Sequence, residues 1–209
     1  MTAGSGIVHE EYHSTSFAKS GGTMEMVQLW VNLPAEDKMT PPRYQPILAS
    51  DIPSVSLDDD SGEVRIIAGV YQDVKGPAST FSPMNIFDVT LKANKTFQYQ
   101  VDKGYNCMFF SRDGTYTVLN GSKPTPIDEH QIVLMSNNTP SSTSSDGNSS
   151  DTEGEYISIQ ANSNKDIKLF ILSGQPLNEP IAARGPFVMN TEQQLRQAMS
   201  DFQAGKFVK

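Results

Sequence analysis

Four potential metal ligands lie close together near the start of the chain: His9, Glu10, Glu11 and His13. A histidine and a carboxylate two residues apart suit a divalent iron, manganese or zinc ion. In a β-strand, residues i and i+2 face the same side, so a strand here predicts that His9 and Glu11 point at one ion. A metal needs at least three or four donors in fixed geometry. The alternative is therefore a run of ordinary polar residues at a strand end.

Two further residue types with chemical potential occur in isolation. His130 stands beside Glu129 without another histidine nearby, which predicts a surface loop rather than a ligand. The single cysteine, Cys107, excludes an internal disulfide. Its neighbours Met108 and Phe109 are apolar, so we expect a buried, unreactive thiol.

The elements that position these residues are predicted to be short β-strands. Residues 87–91 and 97–101 alternate between apolar and polar side chains around a turn, which predicts a hairpin of two half-buried strands. The apolar run 26–33, ended by Pro34, predicts a buried strand. Short strands separated by turn residues are typical of a sandwich or barrel. The other predicted strands are residues 63–70, 105–110, 115–120, 131–135, 156–161 and 167–172.

The end of the chain predicts one helix. Residues 176–190 contain three prolines and favour an extended segment. Asn190 or Thr191 can cap a helix over residues 191–204, and Gln194 is placed three residues after Thr191 for a capping box. Its apolar stripe for packing is formed by Leu195, Met199 and Phe202.

Residues 136–154 differ in composition from the rest of the chain. The segment SNNTPSSTSSDGNSSDTEG is rich in Ser, Asn, Asp and Thr and has no apolar side chain to anchor it. It predicts a disordered insert between two strands.

Several separate blocks of sequence occur in a specific order: MTAGSGIVHEE, QLWVNLP, KMTPPRYQ and, far downstream, SGQPLNEPIAARGPFVMNT. Together they resemble the pirin family of the cupin superfamily. The resemblance extends from Met1 to about Phe202 and leaves out only the low-complexity insert. It implies an all-β fold of cupin-type antiparallel β-barrels, or jelly rolls, with a C-terminal helix.

The resemblance also implies a ligand set. Pirins hold a non-haem iron in their first cupin domain through three histidines and a glutamate. The last two of these ligands match His9 and Glu11, and Glu11 is also the candidate catalytic carboxylate. The first two form a His-x-His motif that occurs nowhere in this chain. We therefore expect an incomplete iron site that another divalent metal can also occupy.

The same resemblance predicts the domain organisation. Met1 matches an internal methionine of the family, so the sequence resembles a pirin that lacks most of its N-terminal domain. Residues 1–53 are expected to be the remnant of the first, metal-binding cupin with a linker. Residues 54–175 are expected to form a second, metal-free cupin. Residues 176–209 are expected to form a tail and helix that pack back on the first domain.

Two functions from different classes follow from the resemblance. The first is an iron-dependent quercetin 2,3-dioxygenase-like activity on a flavonol-like small molecule, impaired here in metal binding. The second is a non-catalytic, redox-sensing cofactor that binds a transcription regulator. Two incomplete barrels with exposed strand edges also predict a homodimer as an alternative assembly.

Composition limits the classes of partner that the protein can bind and the compartments in which we expect it. The formal net charge of −8 argues against direct binding to nucleic acid, which requires Lys and Arg for the phosphates. No run approaches the roughly 18 consecutive apolar residues of a membrane span. The start of the chain lacks the basic and apolar regions of a secretion signal, so we expect a cytoplasmic or nuclear protein.

Overall fold

The computed structural model describes residues 1–120, 123–135, 155–162 and 165–208. The chain forms two compact units, one made of Met1–Gln45 with Leu177–Lys209 and the other of Pro46–Pro176. The insert predicted to be disordered, residues 136–154, lies outside the described residues. In the described part of the chain, no helix is long and apolar enough to cross a membrane.

The Pro46–Pro176 unit is built from short β-strands, and the strands predicted for it are confirmed with small differences at their ends. Short 3-10 turns at Ala49–Asp51 and Asp58–Asp60 flank the first strand. The strands are β1 Ser54–Ser56, β2 Gly62–Ala68, β3 Val70–Tyr71, β4 Val74–Lys75, β5 Met84–Leu91, β6 Thr96–Val101, β7 Asn106–Asp113, β8 Tyr116–Val118, β9 Thr125–Ile127, β10 Ile132–Met135, β11 Glu155–Ala161 and β12 Ile167–Gly174.

These strands form two main antiparallel sheets. The larger has the order β1-β2-β5-β12-β7-β10, and the smaller has the order β6-β11-β8-β9. Strands β3 and β4 pair separately as a short hairpin. At the centre of the larger sheet, Ile171 of β12 lies opposite Phe87 of β5 on one side and Phe109 of β7 on the other. The predicted all-β antiparallel architecture is therefore confirmed.

Alternate residues of both sheets point into one apolar core. In β6, Phe97, Tyr99 and Val101 are buried, whereas the residues between them are exposed. The ring of Tyr99 meets the ring of Phe87, in the other sheet, edge-on at 5.9 Å between centroids. This arrangement satisfies the period of two that strands impose on side chains, and it holds the two sheets together by burial of apolar surface.

The predicted hairpin of residues 87–91 and 97–101 is wrong, although both strands exist. β5 pairs with β2 and β12, and β6 pairs with β11 in the other sheet. The turn contains Asn94 with a φ of 63°, and it carries the chain from one sheet to the other. Alternation shows which side chains face a core, but it does not show which strand lies alongside.

The other unit, Met1–Gln45 with Leu177–Lys209, contains little regular structure. Isolated bridges pair Thr2 with Arg43 and Ile7 with Val208, which tie the first residues to later parts of the same unit. Its regular elements are α1 Thr15–Ser20, the 3-10 turn Ala35–Asp37, β13 Ala182–Arg184, β14 Phe187–Met189 and α2 Glu192–Gln203.

The C-terminal helix is confirmed together with its cap. The backbone N–H of Gln194 donates to the Thr191 hydroxyl at 3.2 Å, and the Gln194 side chain accepts from the Thr191 N–H at 3.0 Å. This reciprocal pair is a capping box. Leu195 is buried and α2 packs against the β13–β14 hairpin, whereas Phe202 remains 51% exposed. The predicted stripe is therefore only partly covered.

The prediction of a buried strand at residues 26–33 is wrong. This segment forms no strand, and among the described residues no strand pairs with it. A strand with apolar side chains on both faces needs neighbours at its edges and cover on its faces. Five of its large apolar side chains are exposed instead, namely Met26, Val27, Leu29, Trp30 and Val31, as is the neighbouring Met24.

Candidate functional site

The candidate ligand segment, residues 9–13, lies between a strand-like bridge and a short helix. The Val8 N–H donates to the Val208 carbonyl at 2.8 Å, where the bridge ends. Ser14 then caps α1 by accepting from the Phe17 N–H at 3.2 Å. Residues 9–13 form no strand, so the strand expected to place His9 and Glu11 on one side is absent.

The side chains of this segment are all exposed. The His9 ring lies edge-on to Tyr44 at 6.4 Å between centroids, and the His13 ring contacts Phe17 at 5.5 Å. The Tyr12 hydroxyl donates to the Glu10 carboxylate, and this hydrogen bond raises the pKa of Tyr12. Each of the two histidines thus has its own aromatic neighbour.

The potential ligands of this segment are too few for the metal that their types suggest. Within the described ranges, no group of three or more His, Cys, Asp or Glu side chains is placed to hold a metal ion. Catalytic zinc and non-haem iron sites use at least three protein donors with open positions. His9 and Glu11 by themselves supply only two, so the residues present do not fit a complete centre.

Among the described residues of the Pro46–Pro176 unit, the buried side chains are mostly apolar, and no group of three metal-ligating side chains forms there. His130 lies in the turn before β10 with a φ of 64°, and its side chain is exposed. Its N–H donates to the Ser111 carbonyl at 2.9 Å, which fixes the turn. His130 therefore lies in a surface turn, as the sequence predicted.

One end of that core is polar, and the sequence analysis missed it. The Tyr99 hydroxyl and the Ser173 hydroxyl lie 2.7 Å apart in a buried hydrogen bond. The Asn85 side-chain amide lies 3.3 Å from Tyr99 Oη and 3.4 Å from Ser173 Oγ. Burial raises the pKa of Tyr99 to about 12 against the opposing hydrogen bonds from Ser173 and Asn85, so its hydroxyl stays protonated.

A sequence signal for this polar end does exist. Asn85 precedes Phe87 by two residues and therefore shares the core-facing side of β5. A polar residue at a core-facing position needs hydrogen-bonding partners. Asn85, Tyr99 and Ser173 come from three strands in both sheets, so their meeting depends on the sheet topology.

The Cys107 thiol is placed as the sequence predicted. It is 4% exposed on β7, and burial raises its pKa to about 12. At neutral pH almost none of it is the reactive thiolate.

We expect Cys107 to react very slowly with a disulfide reagent such as Ellman's reagent in the native protein at pH 8. The same cysteine should react fully and quickly in concentrated urea, because unfolding removes the burial that raises its pKa. The measurement is the rate of thiolate release followed by absorbance. Fast, stoichiometric reaction without denaturant would contradict this placement.

Known proteins with similar sequences agree with this architecture. The Pirin C-terminal cupin domain family matches residues 86–208. The protein of Pseudomonas aeruginosa called "Putative quercetin 2,3-dioxygenase" is 44% identical over 209 residues, which cover 100% of this chain and 66% of that protein. A pirin-like protein of Solanum lycopersicum is 34% identical over 206 residues, covering 99% and 62%. The chain thus spans just under two thirds of the length of these curated relatives.

A solved structure agrees with the sequence comparison. The crystal structure of quercetin 2,3-dioxygenase from Acinetobacter baumannii superposes with a TM-score of 0.84 at 41% identity, over 98% of this chain and 64% of that one. Two antiparallel sheets around one core, in this arrangement, define a cupin. Within that class, the chain belongs to the pirin family.

Proposed function

We propose that this chain is a cupin related to quercetin 2,3-dioxygenases that is impaired in metal binding, and therefore in flavonol oxidation, on its own. The observation that carries the proposal is the placement of His9 and Glu11. Both are exposed in an irregular segment, and no third donor joins them within the described residues. Two donors without a third leave an ion mostly hydrated and weakly held.

The relatives support the substrate class that the proposal names. Proteins at 44% and 41% identity carry names that refer to quercetin 2,3-dioxygenase. If a metal centre were completed, His9 and Glu11 would be its ligands from this chain, and the substrate would be flavonol-like. Iron is the metal that the family resemblance implies, and the imidazole and carboxylate donors suit iron as they also suit manganese or zinc.

The test is the metal content of the purified 209-residue chain by elemental mass spectrometry. We expect far less than one metal ion per chain after dialysis against iron, and no oxygen-dependent loss of quercetin absorbance. His9→Asn should change neither result. His130→Asn is the matched control, because asparagine tolerates the positive φ of His130.

Iron near one per chain that is lost in His9→Asn and kept in His130→Asn would overturn the proposal. That result would mean that a further donor completes the site in solution. Quercetin turnover by the same preparation would then establish the dioxygenase function directly.

A second candidate function is the binding of a protein partner, which the family resemblance implies to be a transcription regulator. The exposed apolar side chains of residues 24–31 favour it. Contiguous exposed apolar surface marks interaction sites more often than it marks ordinary surface. The formal charge of −8 is consistent with a partner that is a protein rather than DNA itself.

Trp30 is the only tryptophan and is 62% exposed, so its fluorescence reports on this segment alone. In dilute solution we expect the emission of a water-exposed indole, quenched strongly by acrylamide. A partner, or a second copy of the chain at high concentration, should shift the emission to the blue and reduce the quenching. Blue-shifted, unquenched emission at every dilution would show instead that the segment is already covered.

A further inference from the structure

A cleft of about 820 Å³ opens at the polar end of the Pro46–Pro176 core. One wall is the β3–β4 hairpin with the residues that follow it, including Asp73 and Lys75. The opposite wall is the start of β5 with Asn85, together with Asp102 and Tyr105 after β6. The cleft is lined entirely by this unit, so it is independent of the His9 segment.

Asn85 joins the two walls and is held in one orientation. Its Oδ1 accepts from the Val70 N–H at 3.3 Å on the hairpin side. Gly69 has a φ of 84°, and a Cβ there would lie 2.1 Å from the same Oδ1. A side chain at Gly69 would therefore push the hairpin away from Asn85. With its oxygen engaged in this way, the Asn85 amide N–H₂ group points toward Tyr99, Ser173 and Asp102.

The Asn85 amide group has more hydrogen-bond acceptors around it than hydrogens to donate. It donates toward Tyr99 Oη at 3.3 Å, and toward Ser173 Oγ and Asp102 Oδ2 at 3.4 Å each. An amide nitrogen carries two hydrogens, so these three acceptors share them. All three distances lie beyond the usual N–H···O range, which means weak bonds that a ligand can replace. Asp102 is the exposed member of the three and the one that a ligand reaches first.

Tyr105 supplies a hydroxyl group and an aromatic ring beside that carboxylate. Its ring packs against the apolar core, which fixes its position. Burial, and secondarily the charge of Asp102, raises the pKa of Tyr105, so the hydroxyl is a hydrogen-bond donor at neutral pH. An aromatic face next to planar acceptor and donor groups suits a ligand with an apolar face and hydroxyl edges.

The charges of the lining limit the class of ligand. Among the described residues that line the cleft, Lys75 is the one cationic side chain, and it lies there with the carboxylates of Asp73 and Asp102. That balance disfavours an anion. A divalent cation is also disfavoured, because no group of three metal-ligating side chains exists in the described part of the chain. A neutral molecule with several hydroxyl groups can both donate to Asp102 and accept from Asn85.

We propose that this cleft binds a neutral polyhydroxylated small molecule, a sugar or cyclic polyol, through Asp102, Asn85 and Tyr105. Asp102 accepts from a pair of adjacent ligand hydroxyls. Asn85 and Tyr105 donate to ligand oxygens, and the Tyr105 ring lies against the ligand's apolar face. The site gives the Pro46–Pro176 unit a binding role that does not depend on His9 or Glu11.

The test is a titration of the ¹⁵N-labelled 209-residue chain with methyl α-D-glucopyranoside and, separately, with myo-inositol, followed by amide chemical shifts. We expect saturable shifts confined to the cleft, at Gly69, Gly76, Asn85 and Tyr105. Asp102→Ala should weaken binding by about tenfold, and Tyr105→Phe by about threefold, because each removes a hydrogen bond to the ligand.

Asp128→Ala is the control, because it removes an exposed carboxylate of the same unit outside the cleft. It should leave binding unchanged. Tyr105→Phe keeps the ring and its packing, so it decides the matter if Asp102→Ala disturbs the fold. The absence of clustered shifts with both probes up to about 100 mM, well above a millimolar dissociation constant, overturns the proposal. Shifts that both variants leave unchanged also overturn it.

Discussion

Replacing Phe109 with alanine should lower the free energy of unfolding of the Pro46–Pro176 unit by about 3–5 kcal/mol. Phe109 is fully buried on β7, with Ile171 of β12 on one side and Val133 of β10 on the other. Its ring also meets Tyr99 of the opposite sheet edge-on at 6.4 Å. Removing it opens a cavity where the two sheets meet, and the neighbouring strands cannot collapse to fill it.

Phe110→Ala is the matched control for this prediction. Phe110 is the next residue on the same strand, points away from the core and is only half-buried. Its loss should cost about 1 kcal/mol, since it removes about half as much buried area and leaves no enclosed cavity. Urea unfolding followed by circular dichroism measures both values. Equal losses for the two variants would show that the core does not lie where the alternation of β7 places it.

Asp88→Ala should destabilise the same unit by about 1.5–3 kcal/mol, because it removes the charged hydrogen bonds that its partly buried carboxylate accepts from Arg112 and Arg65. Asp88 Oδ1 lies 2.5 Å from Arg112 Nη1, and Oδ2 lies 3.2 Å from Arg65 Nη1. The Asp88 side chain is only 14% exposed. Arg112 also stacks on the Phe170 ring, with its Cζ 4.9 Å from the ring centroid, so its charge cannot turn freely to solvent.

Asp60→Ala provides the comparison for the effect of exposure. Asp60 pairs with Lys92 at 2.5 Å, but its side chain is 91% exposed. Water solvates both partners of such a pair when it is broken, so its removal should change stability by little more than the error of the measurement. An Asp88→Ala variant as stable as Asp60→Ala would mean that the two arginines find other partners. Urea unfolding at low and high salt separates these cases.

The strand pattern of the larger unit was predictable because burial follows a period of two. The alternation at residues 97–101 correctly indicated that Tyr99 faces the core. The pairing of β5 with β12 was not predictable from that period, since these strands are far apart in sequence and any inward-facing strand is an equally good neighbour. The prediction of a buried strand at residues 26–33 was wrong for a related reason. Their composition predicts burial, and burial depends on a covering surface that local sequence does not specify.

The helix and the candidate site show the same contrast: features set by residues close in sequence were predictable, and features set by contacts between distant residues were not. The capping box of Thr191 and Gln194 depends only on residues three apart and was predicted correctly, and of the two predicted caps, Asn190 and Thr191, the structure has Thr191. His9 and Glu11 were named by residue type and by resemblance, while their surroundings depend on chain segments distant in sequence. The polar end of the core was overlooked because Asn85, Tyr99 and Ser173 become neighbours only when both sheets are assembled.

The central position of β12 has a consequence for how this unit folds. β12 fills the space between β5 and β7, yet it is the last of the three to be synthesised. Until residues 167–174 have left the ribosome, β5 and β7 each present an unpaired apolar edge. Such edges favour association with other nascent chains. Pairing across long sequence separations also raises the contact order, which predicts folding in about milliseconds to seconds rather than microseconds. The unit therefore depends on a late strand to close its sheet, and its period of greatest exposure to aggregation falls during synthesis.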